Sequence, residues 1–445
     1  MKPEKFFRAF LFYKMNDNNF NKNASAEFPL RGDKMLIVVG GGAAGFFCAI
    51  NAARMNPSLK VTIVEKNNKG LSKVKVSGGG RCNVTHACFE INELIKKYPR
   101  GQNFLKKSFH WFNTKDTVDW FEERNIKLKT ESDGRMFPET NSSQTIIDCL
   151  LKEATKYGVE IILNCEVKEI KKENNYFKLT AHDSRFSIHD SRFLTSNFLC
   201  IACGGYPKSS QTEWLQNIGH SFEMPVPSLF TFNIPNNKIT ELMGVSIENA
   251  TVKIVGTKLQ EQAPLLITHW GMSGPAVLKL SAWGARILAE KNYRFEISVN
   301  WLGNRNENEL RNEWIFFRDQ FASQKIGNRN PFNLPNRLWL HLLRESFIDE
   351  GLRWAELTSK QQNKLIQTLT AQAFEVKGKT TFKEEFVTCG GIKLNEVDAN
   401  TMQSKIVPHL FFAGEIMDVD GITGGFNFQN AWTGGWIAAK TIAEI

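Results

Sequence analysis

An α/β chain is predicted, with one parallel-sheet domain assembled from both ends of the sequence and two further units set between them. Three stretches carry that prediction. KMLIVVGGGAAGFFCAINAARMNPSLKVTIVEK (34–66) reads as strand, glycine turn, helix and strand; HLFFAGE (409–415) reads as another buried strand; the residues between change from short strands to helices and back. At 445 residues the chain is too long for one ordinary core.

The elements follow in order. Residues 1–34 open with MKPEKFFRAFLFYKM, where Arg8 interrupts a short apolar stretch and no small-residue cleavage site follows, then turn polar; a disordered leader is expected, not a secretory signal. Met35–Val39 is a continuous apolar run, as a parallel strand covered on both faces requires. Ala43–Met55 is helix-forming and stops at Asn56-Pro57; Val61–Val64 is the second strand, which completes a βαβ unit of about 30 residues. From about 89 to 157 the pattern is mainly helical, for example IIDCLLKEATKYG ending at Gly158, and strands return in 159–181 and in SNFLCIACGG (196–205). Residues 225–301 are strand-rich with turn residues between the runs, which suggests a small barrel or sandwich. Residues 306–372 read as helices, KTTFKEEFVTCGGIKL as strand, and NAWTGGWIAAKTIAEI as a closing helix.

The longest apolar runs, such as Ala9–Tyr13, fall far short of the roughly 20 residues a membrane span needs. Eight scattered cysteines without a C-x-x-C suit a reducing compartment, so a soluble cytoplasmic protein is expected. Net charge is +10, and much of it is local. Between Lys66 and Lys115, eleven Lys and Arg face only Glu90 and Glu93, or +9. Such a cluster suits anion handling or an anionic partner, and equally a plain solvated face.

Gly40-x-Gly42-x-x-Gly45 follows a strand and opens a helix, with Glu65 twenty residues beyond Gly45. Gly40 permits the tight turn, Gly42 lets backbone approach a pyrophosphate, and Gly45 allows close helix–strand packing. The helix start at Ala43 and Ala44 offers free N–H groups to phosphates, and Glu65 can accept from a ribose 2′-hydroxyl. This context predicts a Rossmann-like domain that binds an adenine dinucleotide. FAD is favoured over NAD because Gly414-Glu415 places an acidic side chain for a ribityl hydroxyl. GITGGFNFQNAWTGG then brings a second helix start to the same edge, where its dipole would stabilise negative charge on a reduced flavin.

VSGGGRCNVTH (76–86) admits three readings. A dithiol fails, because Cys82 and Cys88 are six apart, about 240° around a helix. A metal site fails, because Cys82, His86 and Cys88 match no zinc spacing. The surviving reading is backbone that lies against the cofactor: Gly78, Gly79 and Gly80 at close approach, Arg81 for charge, Ser77 and Asn83 for directional hydrogen bonds, with Cys82 between them. Ala202 and Gly204, where SNFLCIACGG ends, join the expected contacts.

Together G-G-G-A-A-G, S-G-G-G-R-C-N, T-H-W-G-M-S-G-P (268–275) and G-E…D-V-D-G-I-T-G-G-F-N-F-Q (414–429) resemble the bacterial BaiN-like, or aminoacetone oxidase, family of NAD(P)/FAD-dependent oxidoreductases, over about residues 34–445. The resemblance implies a two-part (GR2-like) FAD-binding domain interrupted by β-barrel and helical domains. It implies FAD contacts at Ala44, Glu65, Lys66, the glycine loop, the Val167 backbone on the adenine side, and Gly414 to Asn427, including Gly424, Gly425 and Phe426. Phe426 and Phe428 stand where the family usually has Tyr and Leu, an altered wall that can change the substrate. The domains expected are 35–210 with 402–445 for FAD, 222–303 with 376–401 as a barrel for substrate, and 304–375 as a helical insert.

Two residues are candidates for catalysis. Arg135, on a turn in ESDGRMFPET, can clamp an anionic substrate or serve a structural ion pair. His269, in THWGMSGP, can donate a proton or be a satisfied barrel histidine. No metal is expected. The activity expected is hydride transfer from NADH or NADPH, a transient co-substrate, through flavin N5 to a small organic acceptor such as an activated C=C bond or a ketone, or to O2. The alternative is a flavoprotein that acts on or binds tRNA or other RNA through 66–115. No RNA-recognition module is evident, so a nucleic-acid partner is disfavoured at this stage. Oligomeric state leaves no signal in the sequence.

Overall fold

The computed structural model describes residues 34–183, 191–381 and 387–445; the expected leader lies outside them but for Lys34. Seven elements build the cofactor domain: β1 (Met35–Val39), α1 (Ala43–Met55), β2 (Lys60–Val64), β3 (Glu160–Ile162), β4 (Phe198–Ile201), β5 (Leu410–Phe412) and α2 (Phe426–Glu444). The five strands form one sheet in the order β5-β4-β1-β2-β3, every pair parallel. Ile37 lies between Leu199 and Thr62 in register. Leu36 to Val39 are all buried, with α1 and the strand Ser191–Ser196 of a three-stranded antiparallel sheet both packed against β1. The final strand does come from the far end of the chain, as the sequence predicts.

Ala44 to Ala53 are buried without a break, more than an amphipathic surface helix shows, because α2 packs along α1. Trp432 of α2 is fully buried and donates its indole N–H to the Val84 carbonyl (2.9 Å), which ties α2 to the segment after the glycine loop.

The stretch 89–157, read as mainly helical, is mixed. Helices alternate with Leu128–Thr130 and Arg135–Pro138, which join Thr85–His86 in a small antiparallel sheet. Strands of two to four residues are too short to display a period of two. The expected barrel takes the form of a seven-stranded antiparallel sheet whose two ends, Gln372–Lys377 and Lys379–Thr380, are consecutive in the chain across Gly378, so that one stretch pairs with Arg294–Asn300 and then with Thr231–Asn233 and the sheet curls round on itself. Helix Pro275–Trp283 packs against it, and Phe222–Ser228 pairs with Val387–Ile392 in a separate ribbon.

Helices Glu307–Gln320, Asn336–Glu345 and Ser359–Ala371 enclose buried Trp314, Trp339 and Trp354 and share one core with that sheet. The last of them ends at Ala371, one residue short of the expected 372, and a strand follows at once. Phe374 and Val376 are buried while Glu375 and Lys377 are exposed, the alternation of a strand. Among the described residues no helix is long and apolar enough to cross a membrane.

Candidate functional site

The end of β1 sets the geometry. Gly40 has φ +112°, and a Cβ there would lie 2.5 Å from the Ala202 carbonyl; one on Gly45 would lie 1.9 Å from the Gly40 carbonyl. Both positions are closed to side chains by packing. Gly42 differs, for a Cβ there would meet nothing within 4 Å. It faces a cavity of about 720 Å³, and α1 begins beside it with no side-chain cap and no acidic residue in its first turn. Uncapped N–H groups at a helix start are an anion site. Glu65, 8% exposed, accepts from Gly41 N (2.7 Å) and from Asn67 N and Nδ2 (2.8 and 2.6 Å). These bonds fix its carboxylate at the cavity wall, with lone pairs remaining for hydroxyl donors.

A second helix start opens onto the same cavity. α2 is capped by Gly425, φ +94°, again without a side-chain cap or an acid in the first turn. A Cβ at Gly425 would strike the Thr85 carbonyl at 2.6 Å. The Asn83 amide accepts from Gly425 N and donates to Thr85 O, each at 3.0 Å, and so joins the early glycine segment to the C-terminal loop. Asn427 folds back to bond Gly421 N and O (2.8 and 2.9 Å) and fixes the loop before it. Glu415 accepts from Lys73 Nζ (2.7 Å) and Thr388 N (2.8 Å).

Gly78, Gly79 and Gly80 have φ of +58°, +68° and +82°, a left-handed run that only glycine sustains. The run follows the short helix from Ser72 and turns the chain so that Ser77, Gly78 and Asn83 line the cavity while Gly79, Gly80, Arg81 and Cys82 do not. Arg81, expected to supply charge to the cofactor, instead pairs with Glu131 (2.6 Å) and lies 4.0 Å from the Phe137 ring centre. Cys82 is fully buried, and burial pushes its thiol up to about 12, slightly offset by Ser77. Alkylation with iodoacetamide at pH 8 is therefore expected to spare Cys82 in the native protein and to reach it after denaturation, as peptide mass mapping would show.

Of the other expected contacts, Ala43, Ala44, Lys66, Val167, Ala202, Gly204, Gly414 and Gly424 line the cavity. Phe426 does not; it is buried against His86 at a ring separation of 4.7 Å. Arg135 reaches the cavity as the first residue of a short strand rather than on a turn, and Asp133 (2.6 Å) and Glu131 (3.3 Å) hold its guanidinium. His269 is not brought there. It is exposed between two strands, edge-on to Trp270 at 4.2 Å.

Sequence reasoning missed Lys73, one turn before the glycine run, and Tyr206 and Trp214 on the Val167 side. It also missed Leu229, Thr231, Leu278 and Val387, which the sheet unit and its ribbon contribute. Lys73 had a signal, its place beside the motif; the wall residues had none that is local. Among the described residues no three His, Cys, Asp or Glu side chains converge on a metal position.

A split Rossmann sheet, two uncapped helix starts on one cavity and an acid at the end of β2 define an FAD-binding oxidoreductase. The sequence profile of the HI0933-like protein Rossmann domain matches residues 34–441, and the chain belongs to the HI0933-like family. The chain is 30% identical over 416 residues to the ribosomal RNA dihydrouridine synthase of Escherichia coli K12, across 91% of this chain and 97% of the relative. The Haemophilus influenzae protein of the same name is 28% identical over 422 residues, 92% of this chain and 98% of its own. The 3-dehydro-bile acid delta(4,6)-reductase of Clostridium scindens is 25% identical over 416 residues, again 92% and 98%.

Proposed function

We propose that this enzyme reduces a carbon–carbon double bond conjugated with a carbonyl, with NADH or NADPH as transient hydride donor. The observation that carries the reading is the composition of the cavity. Residues that fit FAD make up one part, and Leu229, Thr231, Ser273, Leu278 and Val387 add an apolar wall with two hydroxyls from another unit of the fold. Such a wall with a few polar groups suits a flat, partly polar ring. The relatives' names support the same chemistry. Dihydrouridine and a reduced 3-dehydro-delta(4,6) system differ as molecules, but forming either saturates a C=C bond in conjugation with a carbonyl.

Bound FAD would supply hydride transfer between the nicotinamide and the β-carbon of the acceptor, with a proton added at the α-carbon. The chain's residues supply position and field. The α1 start and Glu65 would hold pyrophosphate and ribose, and Glu415 the ribityl chain. The α2 start would stabilise negative charge on the ring system. Arg135 and Lys73 bring two cations to the cavity, Lys73 restrained by Glu415 and Arg135 by Asp133 and Glu131.

The purified protein is expected to be yellow. Under anaerobic conditions NADH or NADPH should bleach the flavin, and an enone or a free uridine derivative should restore its colour faster than buffer does. Flavin that neither nucleotide bleaches, or that only O2 reoxidises, would overturn the proposal. A uracil ring within RNA is one acceptor of the required kind. Lys73, Arg81, Lys96 and Arg100 are paired with Glu415, Glu131, Glu93 and Asp420, and the lysines of 66–115 outside those pairs, such as Lys97, Lys106 and Lys107, favour RNA over a neutral metabolite.

A further inference from the structure

We infer that a second surface groove, separate from the cofactor cavity, is a docking site for the backbone of single-stranded RNA. The inference rests on reading the cavity as one that reduces a base. The groove has a volume of about 720 Å³ and lies between the helix Gln102–Ser108 and the segment 394–405. Lys107 and Lys405 line it from opposite sides, and Lys106 is exposed beside Lys107. Lys97, Lys106 and Lys107 form no ion pair among the described residues, whereas Lys96 is neutralised by Glu93 at 2.6 Å. One acid, Asp398, also lines the groove, its Oδ1 accepting from Asn400 N at 2.8 Å. Lys405 Nζ donates to Asn395 O at 3.0 Å, which leaves Lys107 in the groove and Lys97 and Lys106 beside it as the cations without an ion pair among the described residues. Such lysines beside a channel are what a phosphate backbone requires.

The rim adds a second feature. Trp111 is 44% exposed, and its indole N–H donates to the Oδ1 of Asn400, a groove residue, at 3.2 Å. A large apolar ring left in solvent with its one polar atom tied down is a platform for a stacked base. Lys440, paired with Glu444 at 2.7 Å, stands 5.1 Å from the ring centre.

The groove also adjoins the catalytic cavity through one layer of chain. Lys97 O accepts from Ile422 N (2.9 Å), and a Cβ at Gly101 would lie 2.7 Å from Val419. The segment 97–101 therefore lies against 419–422, and Ile422 lines the flavin cavity. RNA seated in the groove keeps a neighbouring nucleotide within reach of that cavity. A small neutral acceptor has no use for such a channel.

The test uses FAD-loaded protein and a fluorescein-labelled oligouridylate, with anisotropy titrations over a salt series. Binding should weaken linearly on a log–log salt plot. The Lys106→Glu, Lys107→Glu, Lys405→Glu triple variant should reduce that slope by about 2, since each single-strand phosphate contact contributes about 0.7. Trp111→Ala should weaken binding on the order of tenfold with the slope unchanged, because stacking releases no counterions. Both variants should keep the parent's rate of flavin bleaching by the nicotinamide. Equal affinity in parent and variants, or binding of anionic vesicles but not of RNA, would overturn the inference. If the parent fails with every enone and uridine yet shows these RNA effects, the reductase reading falls and the docking site stands.

Discussion

Valine at position 42 is expected to give a folded but colourless protein, and valine at position 45 no folded protein at all. Gly42 has φ −90° and ψ −170°, a conformation open to any residue, and its missing side chain faces empty cavity. The new isopropyl group would therefore strain nothing in the chain and would occupy the approach to the uncapped start of α1. FAD affinity should fall at least about tenfold, a loss of about 1.4 kcal/mol or more. At Gly45 the added carbon would lie 1.9 Å from the Gly40 carbonyl, so α1 must leave β1. Overpacking costs about 1–3 kcal/mol where neighbours can give way, and here the neighbour is backbone. Circular dichroism, a thermal melt and the absorbance of each purified variant would separate the outcomes. A yellow Gly42→Val protein would refute the role assigned to that position.

Arg100→Ala should be the most damaging change outside the cavity. Asp420 is fully buried, and its carboxylate bonds the Arg100 guanidinium at two points and Ser228 Oγ at 2.7 Å, while Arg100 also donates to Ala282 O. The pair joins the C-terminal loop of the FAD domain to the ribbon and the helix of the sheet unit. Removing the cation strands a buried charge, at a cost of about 3–5 kcal/mol. Burial pushes the Asp420 carboxyl up to about 6, against the opposing pull of Arg100 and Ser228. A raised carboxyl contributes stability that is complete below the ordinary carboxylate range, near 4, and is lost as pH rises through about 6. Without Arg100 the carboxyl climbs further and the loss at neutral pH deepens. Urea midpoints of variant and parent should thus lie furthest apart near pH 8 and converge toward pH 5. A gap that is constant with pH would show that Asp420 does not carry the effect.

The cofactor half of the fold was legible because its constraints are local. The turn of Gly40, the packing of Gly45 and the acid after β2 all fall within one βαβ unit, and β5 announces itself as an apolar run beside glycines. The glycine segment at 78–80 was legible as backbone but not in its direction. Which of Ser77, Arg81, Cys82 and Asn83 face the cavity depends on three successive left-handed residues and on Glu131, far along the chain. The wall of Leu229, Thr231, Leu278 and Val387 had no sequence signal, since those residues come together only through the packing of separate units. His269 sits beside a motif that does reach the cavity through Ser273, and a turn of the hairpin carries it outward.

The pairing of β5 with β4 has a consequence for biosynthesis. While the polypeptide is being made, the edge of β4 has no neighbour until the sheet unit and the helical segment have both been translated. That edge, Phe198–Ile201, is wholly apolar, and an unpaired apolar edge invites aggregation. Flavin loading must wait until β5 and α2 have both been made. Over that interval a nascent chain of this architecture would gain from chaperones that shield the gap β5 will fill.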